Sequence, residues 1–128
     1  METVLLAVNG TLMRGLELNG NLTSVGANFV REDKTDSNYK LWSINDEHPA
    51  MLRVEEAGVK VELEIWEVPA KGLASILLNE PPGLAIGKII LEDKSVVLGV
   101  IGEPLLCKNQ LEISEFGSWR SYIEQKIK

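Results

Sequence analysis

The sequence VLLAVNGTLMRG, at residues 4–15, is an apolar run followed by an Asn-Gly pair and a loop. The continuous apolar residues from 4 to 8 indicate a buried strand, and the Asn-Gly pair indicates that it ends in a sharp turn. Such a turn leaves backbone N–H groups unpaired, and these can hold a carboxylate or carbonyl oxygen. Because Gly10 has no side chain, a ligand can approach the backbone closely, and Arg14 can add a bidentate contact to a carboxylate. The stretch therefore predicts a binding loop, and the alternative is a plain tight turn with a solvated Arg14.

Outward from this loop, the sequence predicts mostly strands. Strands are expected at 28–31, 39–44, 51–54 and 59–65, and a β-hairpin is expected at 86–101 with a polar loop at 92–95. Helices are expected at 18–25, at 70–78 and near the C-terminus, where Ser114 is the expected N-cap. The sum of about seven strands and three helices predicts a mostly β, α+β domain, with residues 1–128 forming a single domain.

The composition narrows the classes of function. The 128 residues carry a net charge of −6, with 45% hydrophobic and 25% charged residues, as in an ordinary globular protein. An acidic chain without a basic patch repels phosphate backbones and anionic membranes, so neither a nucleic acid nor a membrane is an expected partner. The first residues lack the positive start and the cleavage site of a signal peptide, which predicts a cytoplasmic location. The single cysteine, Cys107, lies in an apolar run and is expected to be a buried free thiol.

Four segments together resemble one family. Residues 8–15, VNGTLMRG, resemble the strand-to-loop signature of γ-glutamylcyclotransferase-like (AIG2-like) proteins, and residues 48–51, HPAM, resemble their second pocket segment. The hairpin segments 86–91 and 99–103, and the sequence FGSWRSY at 116–122, are similar to the C-terminal domain of allophanate hydrolases. The segments stand in the family's order and cover nearly the whole chain.

The resemblance implies both a fold and a chemistry. The implied fold is a small mixed β-barrel with peripheral helices and one pocket at its mouth. Allophanate hydrolases make ammonia and carbon dioxide from allophanate. An amidase domain cuts first, and the C-terminal domain helps to decompose the carboxylated intermediate. This sequence contains no amidase segment, so the resemblance implies a standalone counterpart of the C-terminal domain, with an amidase as a candidate partner protein.

The resemblance also implies a set of pocket residues that would bind a small carboxylate or amide ligand. They are Asn9, Gly10, Thr11, Leu12, Met13, Arg14, Pro49 and Ala50. Two of these positions depart from the family pattern, because Asn9 replaces a tyrosine and Leu12 replaces a histidine. Both changes remove a group that could move a proton.

Two candidates for the catalytic group remain near this pocket. The cyclotransferases use a glutamate after a short helix as general acid and base, and Glu80 lies near that position but is displaced and followed by two prolines. Its alternative is a surface carboxylate at a helix end. His48 lies in the second pocket segment, and its alternative is a solvated loop residue.

Glu64 is a third candidate. Glu62 and Glu64 lie on one face of the strand at 59–65, about 7 Å apart, where two carboxylates can perturb each other's pKa values or bind a cation. The alternative is the wet face of an amphipathic strand, because apolar and polar residues alternate there. The sequence shows no convincing metal-ligand spacing and no phosphate loop, so no metal and no other cofactor is expected.

Three functions follow from these observations. The first is an enzymatic domain, similar to the allophanate hydrolase C-terminal domain, that acts on a small ureido- or amido-carboxylate. The second is a non-catalytic binding or accessory module that kept the pocket and lost the proton-transfer groups. The third, less favoured because Glu80 is displaced, is a γ-glutamylcyclotransferase that forms 5-oxoproline. The sequence leaves open whether the protein is an enzyme.

Overall fold

The computed structural model describes residues 2–127, which form two β-sheets with short helices around them. The strands are β1 (Thr3–Val8), β2 (Asn28–Lys34), β3 (Tyr39–Ile44), β4 (His48–Arg53), β5 (Glu62–Pro69), β6 (Leu84–Ile90), β7 (Val96–Gly102) and β8 (Leu111–Glu112). The α-helices are α1 (Gly20–Thr23), α2 (Leu73–Leu78), α3 (Pro104–Cys107) and α4 (Trp119–Ile127). Single 3₁₀ turns precede α2 at Ala70–Gly72 and α4 at Ser114–Phe116.

Strand β1 is the centre of the larger sheet, whose strand order is β2-β5-β1-β7-β6. It pairs antiparallel with β5 and parallel with β7. Leu6, Ala7 and Val8 are all fully buried, which explains the continuous apolar run, since a strand covered on both faces has no polar side. The predicted strand is confirmed, but its buried part is residues 6–8, since Val4 is half-buried and Leu5 is exposed.

Strand β5 differs from the one-sided strand that its alternating sequence predicts. It begins at Glu62, and Leu63, Glu64, Ile65 and Trp66 are all buried, because β5 lies between β1 and β2 with both faces covered. The expectation of a wet face therefore fails at Glu64, whose carboxylate is inside the protein.

The α+β class is confirmed, but the larger sheet does not close into a barrel. Within residues 2–127, its edge strands β2 and β6 meet only through an isolated bridge between Thr35 and Leu91. After β2 the chain leaves this sheet and forms the smaller one, in which β3 lies between β4 and β8. No continuous ladder therefore joins the two edges. The predicted hairpin is confirmed, with β6 and β7 paired antiparallel from Leu84–Gly102 to Ile90–Val96.

The terminal helix begins later than the sequence predicts, and its N-cap is a different serine. The hydroxyl of Ser118 accepts a hydrogen bond from the Ser121 N–H at 3.0 Å, as an N-cap does. The hydroxyl of Ser114 instead accepts the Leu41 N–H at 3.0 Å and ties the chain to β3. No helix within residues 2–127 has the length and apolar content needed to cross a membrane.

Candidate functional site

The first loop, residues 9–18, is folded back on itself by backbone hydrogen bonds. The Met13 N–H donates to the Gly10 carbonyl at 3.0 Å, and the Leu18 N–H donates to the Thr11 carbonyl at 2.9 Å. Within residues 2–127, the N–H groups of Thr11 and Leu12 donate no hydrogen bond. These two N–H groups are therefore available to hold an anionic oxygen.

Two asparagine side chains fix the first loop to the rest of the protein. The buried Asn9 donates from Nδ2 to the Val100 carbonyl of β7 at 3.0 Å and contacts the Met51 sulfur at 3.9 Å. Asn19 donates from Nδ2 to the Leu12 carbonyl at 2.8 Å. Asn9 is thus an anchor, since an amide has no proton to transfer near neutral pH.

His48 is buried rather than solvated, so the alternative interpretation of this residue is wrong. It is 7% exposed, and its Nδ1 lies 3.0 Å from the Pro49 carbonyl oxygen. A carbonyl only accepts, so Nδ1 carries the hydrogen and donates it. In the neutral ring this leaves the lone pair on Nε2, where it can accept a hydrogen bond.

Glu80 follows α2 and is half-buried, which differs from an open surface carboxylate at a helix end. Burial raises the pKa of its carboxyl from 4.5 to about 7, because the charged form loses solvation. Its N–H donates to the Leu77 carbonyl at 3.1 Å. Gly83, with a φ of 92°, then turns the chain into β6. A carboxyl with this pKa is near half-protonation at neutral pH.

The first loop, the second pocket segment and Glu80 meet at one small cavity. The cavity has a volume of about 10 Å³, which holds about one water molecule. Its lining comprises Val8, Asn9, Gly10, Thr11, Leu12, His48, Pro49, Glu80, Leu84 and Val100. We call it the small cavity. It brings together seven residues of the predicted site, Glu80 among them, with three apolar residues that were not predicted to line it, Val8, Leu84 and Val100.

Four predicted residues lie elsewhere. Met13 and Glu64 line a second cavity of about 300 Å³, between β2, β5 and α4. Ala50 is buried and lines neither cavity; its Cβ packs against Gly102. The Arg14 guanidinium stacks on the Phe29 ring, 3.7 Å from the ring centroid.

The Arg14 side chain is bound to Glu64 rather than open to the small cavity. Arg14 Nε donates to Glu64 Oε2 at 3.1 Å, and Arg120 Nη2 lies 3.4 Å from the same oxygen. Trp66 Nε1 donates to Glu64 Oε1 at 3.1 Å. Neither Trp66 nor Arg120 is among the site residues that the sequence predicts. The available signal for Arg120 was its place in the segment FGSWRSY at 116–122.

Within residues 2–127, no group of three or more His, Cys, Asp or Glu side chains is arranged to hold a metal ion. The small cavity brings together three kinds of groups from the protein itself. These are two backbone donors, a carboxyl with a pKa of about 7 and an imidazole with one free nitrogen.

Comparison with known proteins identifies the family. The model of the allophanate hydrolase C-terminal domain matches residues 4–124. The chain belongs to this family. The resemblance inferred from the four sequence segments is thereby confirmed.

Relatives with this domain include much longer proteins. The urea amidolyase of Lachancea kluyveri is 32% identical over 130 residues, a match that covers 96% of this chain and 7% of the relative. An allophanate hydrolase structure from Kluyveromyces lactis is 29% identical, with a TM-score of 0.92, and the match covers 98% of this chain and 22% of that one. This chain thus spans about 7% of the length of the curated relatives that it matches.

A relative of similar length also exists. The crystal structure of a uropathogenic E. coli-specific protein is 60% identical, with a TM-score of 0.96, and the match covers 97% of this chain and 98% of that one. An AIG2-like protein from Mus musculus has a TM-score of 0.62 at 20% identity, over 83% of this chain and 80% of that one. The second likeness concerns the fold alone, and it agrees with the γ-glutamylcyclotransferase-like fold.

Proposed function

We propose that the small cavity binds the reacting end of a small ureido- or amido-carboxylate, and that Glu80 transfers a proton while the ligand is decomposed. One observation carries this proposal. Glu80, whose pKa is about 7, lines the same cavity as Thr11 and Leu12, the residues whose N–H groups donate no hydrogen bond. An acid whose pKa lies near the working pH is effective both as proton donor and as proton acceptor.

The backbone donors and Glu80 have complementary tasks. The N–H groups of Thr11 and Leu12 hold the oxygen atoms of a carboxylate without adding a charge. Near pH 7 half of the Glu80 carboxyls are protonated, and this neutral form does not repel an anionic ligand. The protonated carboxyl can therefore stand beside a substrate carboxylate and donate its proton to the nitrogen that bears this carboxylate.

The reaction balances with these groups alone when the ligand carries a carboxylated nitrogen. Glu80 gives its proton to the nitrogen as the bond between nitrogen and the carboxylate carbon breaks. The electron pair of that bond stays on the nitrogen, and carbon dioxide leaves. The Glu80 carboxylate then takes a proton from water and is ready for the next turnover.

The limited volume of the small cavity supports a small ligand. About 10 Å³ leaves room for one water-sized group beside the first loop. Only the reacting end of a ligand fits there, and the rest of the ligand must lie outside or displace side chains. The match to an allophanate hydrolase domain points to a urea-derived carboxylate as the ligand class.

The test is an assay of carbon dioxide release from allophanate and other carboxylated urea derivatives, and with allophanate the step above leaves urea as the other product. Turnover by the wild type should fall as the pH rises above about 7, and Glu80→Gln should lower kcat by about 10²- to 10⁴-fold. Glu103→Gln is the matched control, because it makes the same charge change at an exposed residue, whose backbone N–H donates to the Gly83 carbonyl. Equal turnover by wild type and Glu80→Gln would refute the role of Glu80.

A second function, a non-catalytic binding module, is favoured by a different observation. Asn9 and Leu12 occupy positions where related sequences have proton-transfer groups, and the Asn9 amide is used as an anchor. A ligand present at a hundredfold excess over its Kd stabilises the folded state by about 2.7 kcal/mol, which thermal unfolding detects. Saturable stabilisation by these carboxylates, by γ-glutamyl dipeptides or by 5-oxoproline, without turnover, would select the binding module.

An amidase partner belongs to the same proposal. Relatives with this domain, among them a urea amidolyase, carry it within a chain of which the domain is only a small part. We propose that an amidase supplies the carboxylated product to this domain. Co-purification of the two proteins, and faster ammonia release when both are present, would support the partnership. Independent rates would exclude functional coupling.

A further inference from the structure

The first loop is fixed at its C-terminal end by side chains from distant parts of the chain. The Arg14 N–H donates to Glu64 Oε1 at 3.0 Å, and the Arg14 carbonyl accepts from Arg120 Nη2 at 3.0 Å. Glu64 comes from β5 and Arg120 from α4. Both backbone polar groups of one loop residue are thus satisfied by side chains rather than by neighbouring backbone.

The Glu64 carboxylate has little freedom to move. Its side chain is 3% exposed, and each of its two oxygens accepts from two donors. Oε1 accepts from the Arg14 N–H and Trp66 Nε1, while Oε2 accepts from Arg14 Nε and Arg120 Nη2. A carboxylate in which each oxygen accepts two hydrogen bonds is held in one orientation.

We infer that Glu64 and Arg120 form a clamp that positions the first loop, and so sets the direction of the Thr11 and Leu12 N–H groups toward the ligand. The inference rests on the proposed function of the small cavity. Asn9 holds the N-terminal end of the first loop to the Val100 carbonyl, and the clamp holds the other end. The two unpaired N–H groups lie between these fixed points. Neither clamp residue lines the small cavity, so both are positioning residues.

A contribution to stability does not by itself explain why Glu64, Arg14 and Arg120 form this charged network. A buried ion pair often contributes no more to stability than well-packed apolar residues of the same volume, because burying the charges costs solvation. What charged groups supply better is a fixed geometry, since each hydrogen bond has a direction. Arg120 is only partly buried, with 40% of its side chain exposed, so its removal leaves no cavity in the core.

The experiment uses Arg120→Ala, Arg120→Lys and Glu64→Gln, with Glu62→Gln as the matched control. Glu62 lies two residues from Glu64 on the same strand and is exposed. Two quantities are measured for each variant. One is amide hydrogen exchange at Met13, Arg14 and Leu18, compared with exchange at the β7 amides. The other is the Kd of allophanate or of whichever carboxylate stabilises the wild type.

Arg120→Ala should speed exchange in the first loop by about tenfold while β7 exchange stays unchanged, because the opening is local. The Kd should rise by about tenfold, since misplaced N–H groups form poorly aligned hydrogen bonds to the ligand. Arg120→Lys should change the exchange rate and the Kd less than Arg120→Ala does, because the Lys ammonium group can still donate to Glu64 or to the Arg14 carbonyl. Glu62→Gln should change neither quantity. Glu64→Gln should resemble Arg120→Ala or unfold, since its amide NH₂ would face other donors.

Unchanged exchange in the first loop of Arg120→Ala would overturn the clamp. Faster exchange with an unchanged Kd would also overturn it, because the loop would be loosened without an effect on binding. If no carboxylate binds the wild type, the proposed function fails. The exchange measurement then decides separately whether the first loop is clamped, so the two failures are distinguishable.

Discussion

Gly10 lies directly against Pro49, at the point where the first loop meets β4. A Cβ placed on Gly10 would stand 2.6 Å from both the Cδ and the Cγ atoms of Pro49. Real Cβ atoms do not approach other atoms this closely, so the proline ring or the loop would have to move. The absence of a side chain at residue 10 is therefore what allows the two pocket segments to touch.

Gly10→Ala should destabilise the protein by about 1 to 3 kcal/mol, the usual effect of forcing an extra carbon into a packed site. It should also weaken carboxylate binding, because the shift occurs within the first loop. Thermal unfolding and ligand-induced stabilisation measure the two effects.

Gly20→Ala is the matched control for this change. Gly20 lies in α1, and a Cβ there meets no atom within 4 Å. Alanine is a better helix residue than glycine by up to about 1 kcal/mol, so the control should be neutral or slightly stabilising. Equal effects of the two substitutions would show that the Gly10–Pro49 contact is adaptable.

Glu80 should make stability depend on pH in the opposite direction from most carboxylates. Its folded pKa of about 7 lies above 4.5, so between these values the folded state binds more protons than the unfolded state. Stability contributed by this group is present below pH 4.5 and is lost as the pH rises through about 7. Partial solvent exposure limits the loss to about 1 to 2 kcal/mol.

Glu80→Gln removes this titration, so the variant should gain stability relative to the wild type as the pH rises from 5 to 8. Denaturant unfolding at several pH values measures the difference. A difference that does not change with pH would mean that the folded-state pKa of Glu80 is close to its ordinary value.

The elements that the sequence predicted well are those whose partners lie nearby or whose burial is uniform. Strand β1 is apolar on both faces and was visible as a single run, and the β6–β7 hairpin is formed by neighbours in sequence. Strand β8 was missed because it has only two residues, Leu111 and Glu112, which is too short for any periodic pattern.

The position of Glu64 could not be predicted from alternation. Its donors on Arg14 and Arg120 lie 50 and 56 residues away, and these contacts are what allow a carboxylate to be buried. The same limit applied to Glu80, since its place beside the first loop at the small cavity is set by tertiary structure. The sequence and its family resemblance located the first loop, and tertiary contacts determined which acids face the small cavity.

Cys107 should react slowly with thiol reagents in the folded protein. The thiol is buried, and burial raises its pKa, so little of the reactive thiolate is present. Reaction with a chromogenic disulfide at pH 8 should be at least about tenfold slower than in denaturant. Because this is the only cysteine of the chain, the signal reports a single site. Rapid reaction under native conditions would indicate that α3 opens readily.

Asp46 joins the smaller sheet to the terminal helix, and its removal should loosen that junction. Its Oδ1 accepts from the Tyr122 hydroxyl at 2.7 Å and from the Ser43 hydroxyl at 2.6 Å, and its Oδ2 accepts from Lys126 Nζ at 2.6 Å. These bonds, with that from Lys126 first, hold the pKa of Asp46 well below its usual range. The hydrogen bond that Tyr122 donates to Asp46 also raises the pKa of the Tyr122 hydroxyl.

Asp46→Asn should cost about 1 kcal/mol at pH 7, since the side chain is 43% exposed and its ion pair is screened. Asparagine tolerates the positive φ of 58° at this position, so the substitution adds no backbone strain. Glu47→Gln, which removes a charge from the next residue in the same loop, is the control and should be neutral.

The effect of Asp46→Asn should also depend on pH. A depressed pKa stabilises the folded state above the ordinary Asp value of about 4, and this stability is lost as the pH falls below it. The difference between wild type and Asp46→Asn should therefore be constant from pH 8 to pH 5 and shrink in acid, as measured by denaturant unfolding. A difference that grows in acid would mean that Asp46 is not the acceptor that holds α4.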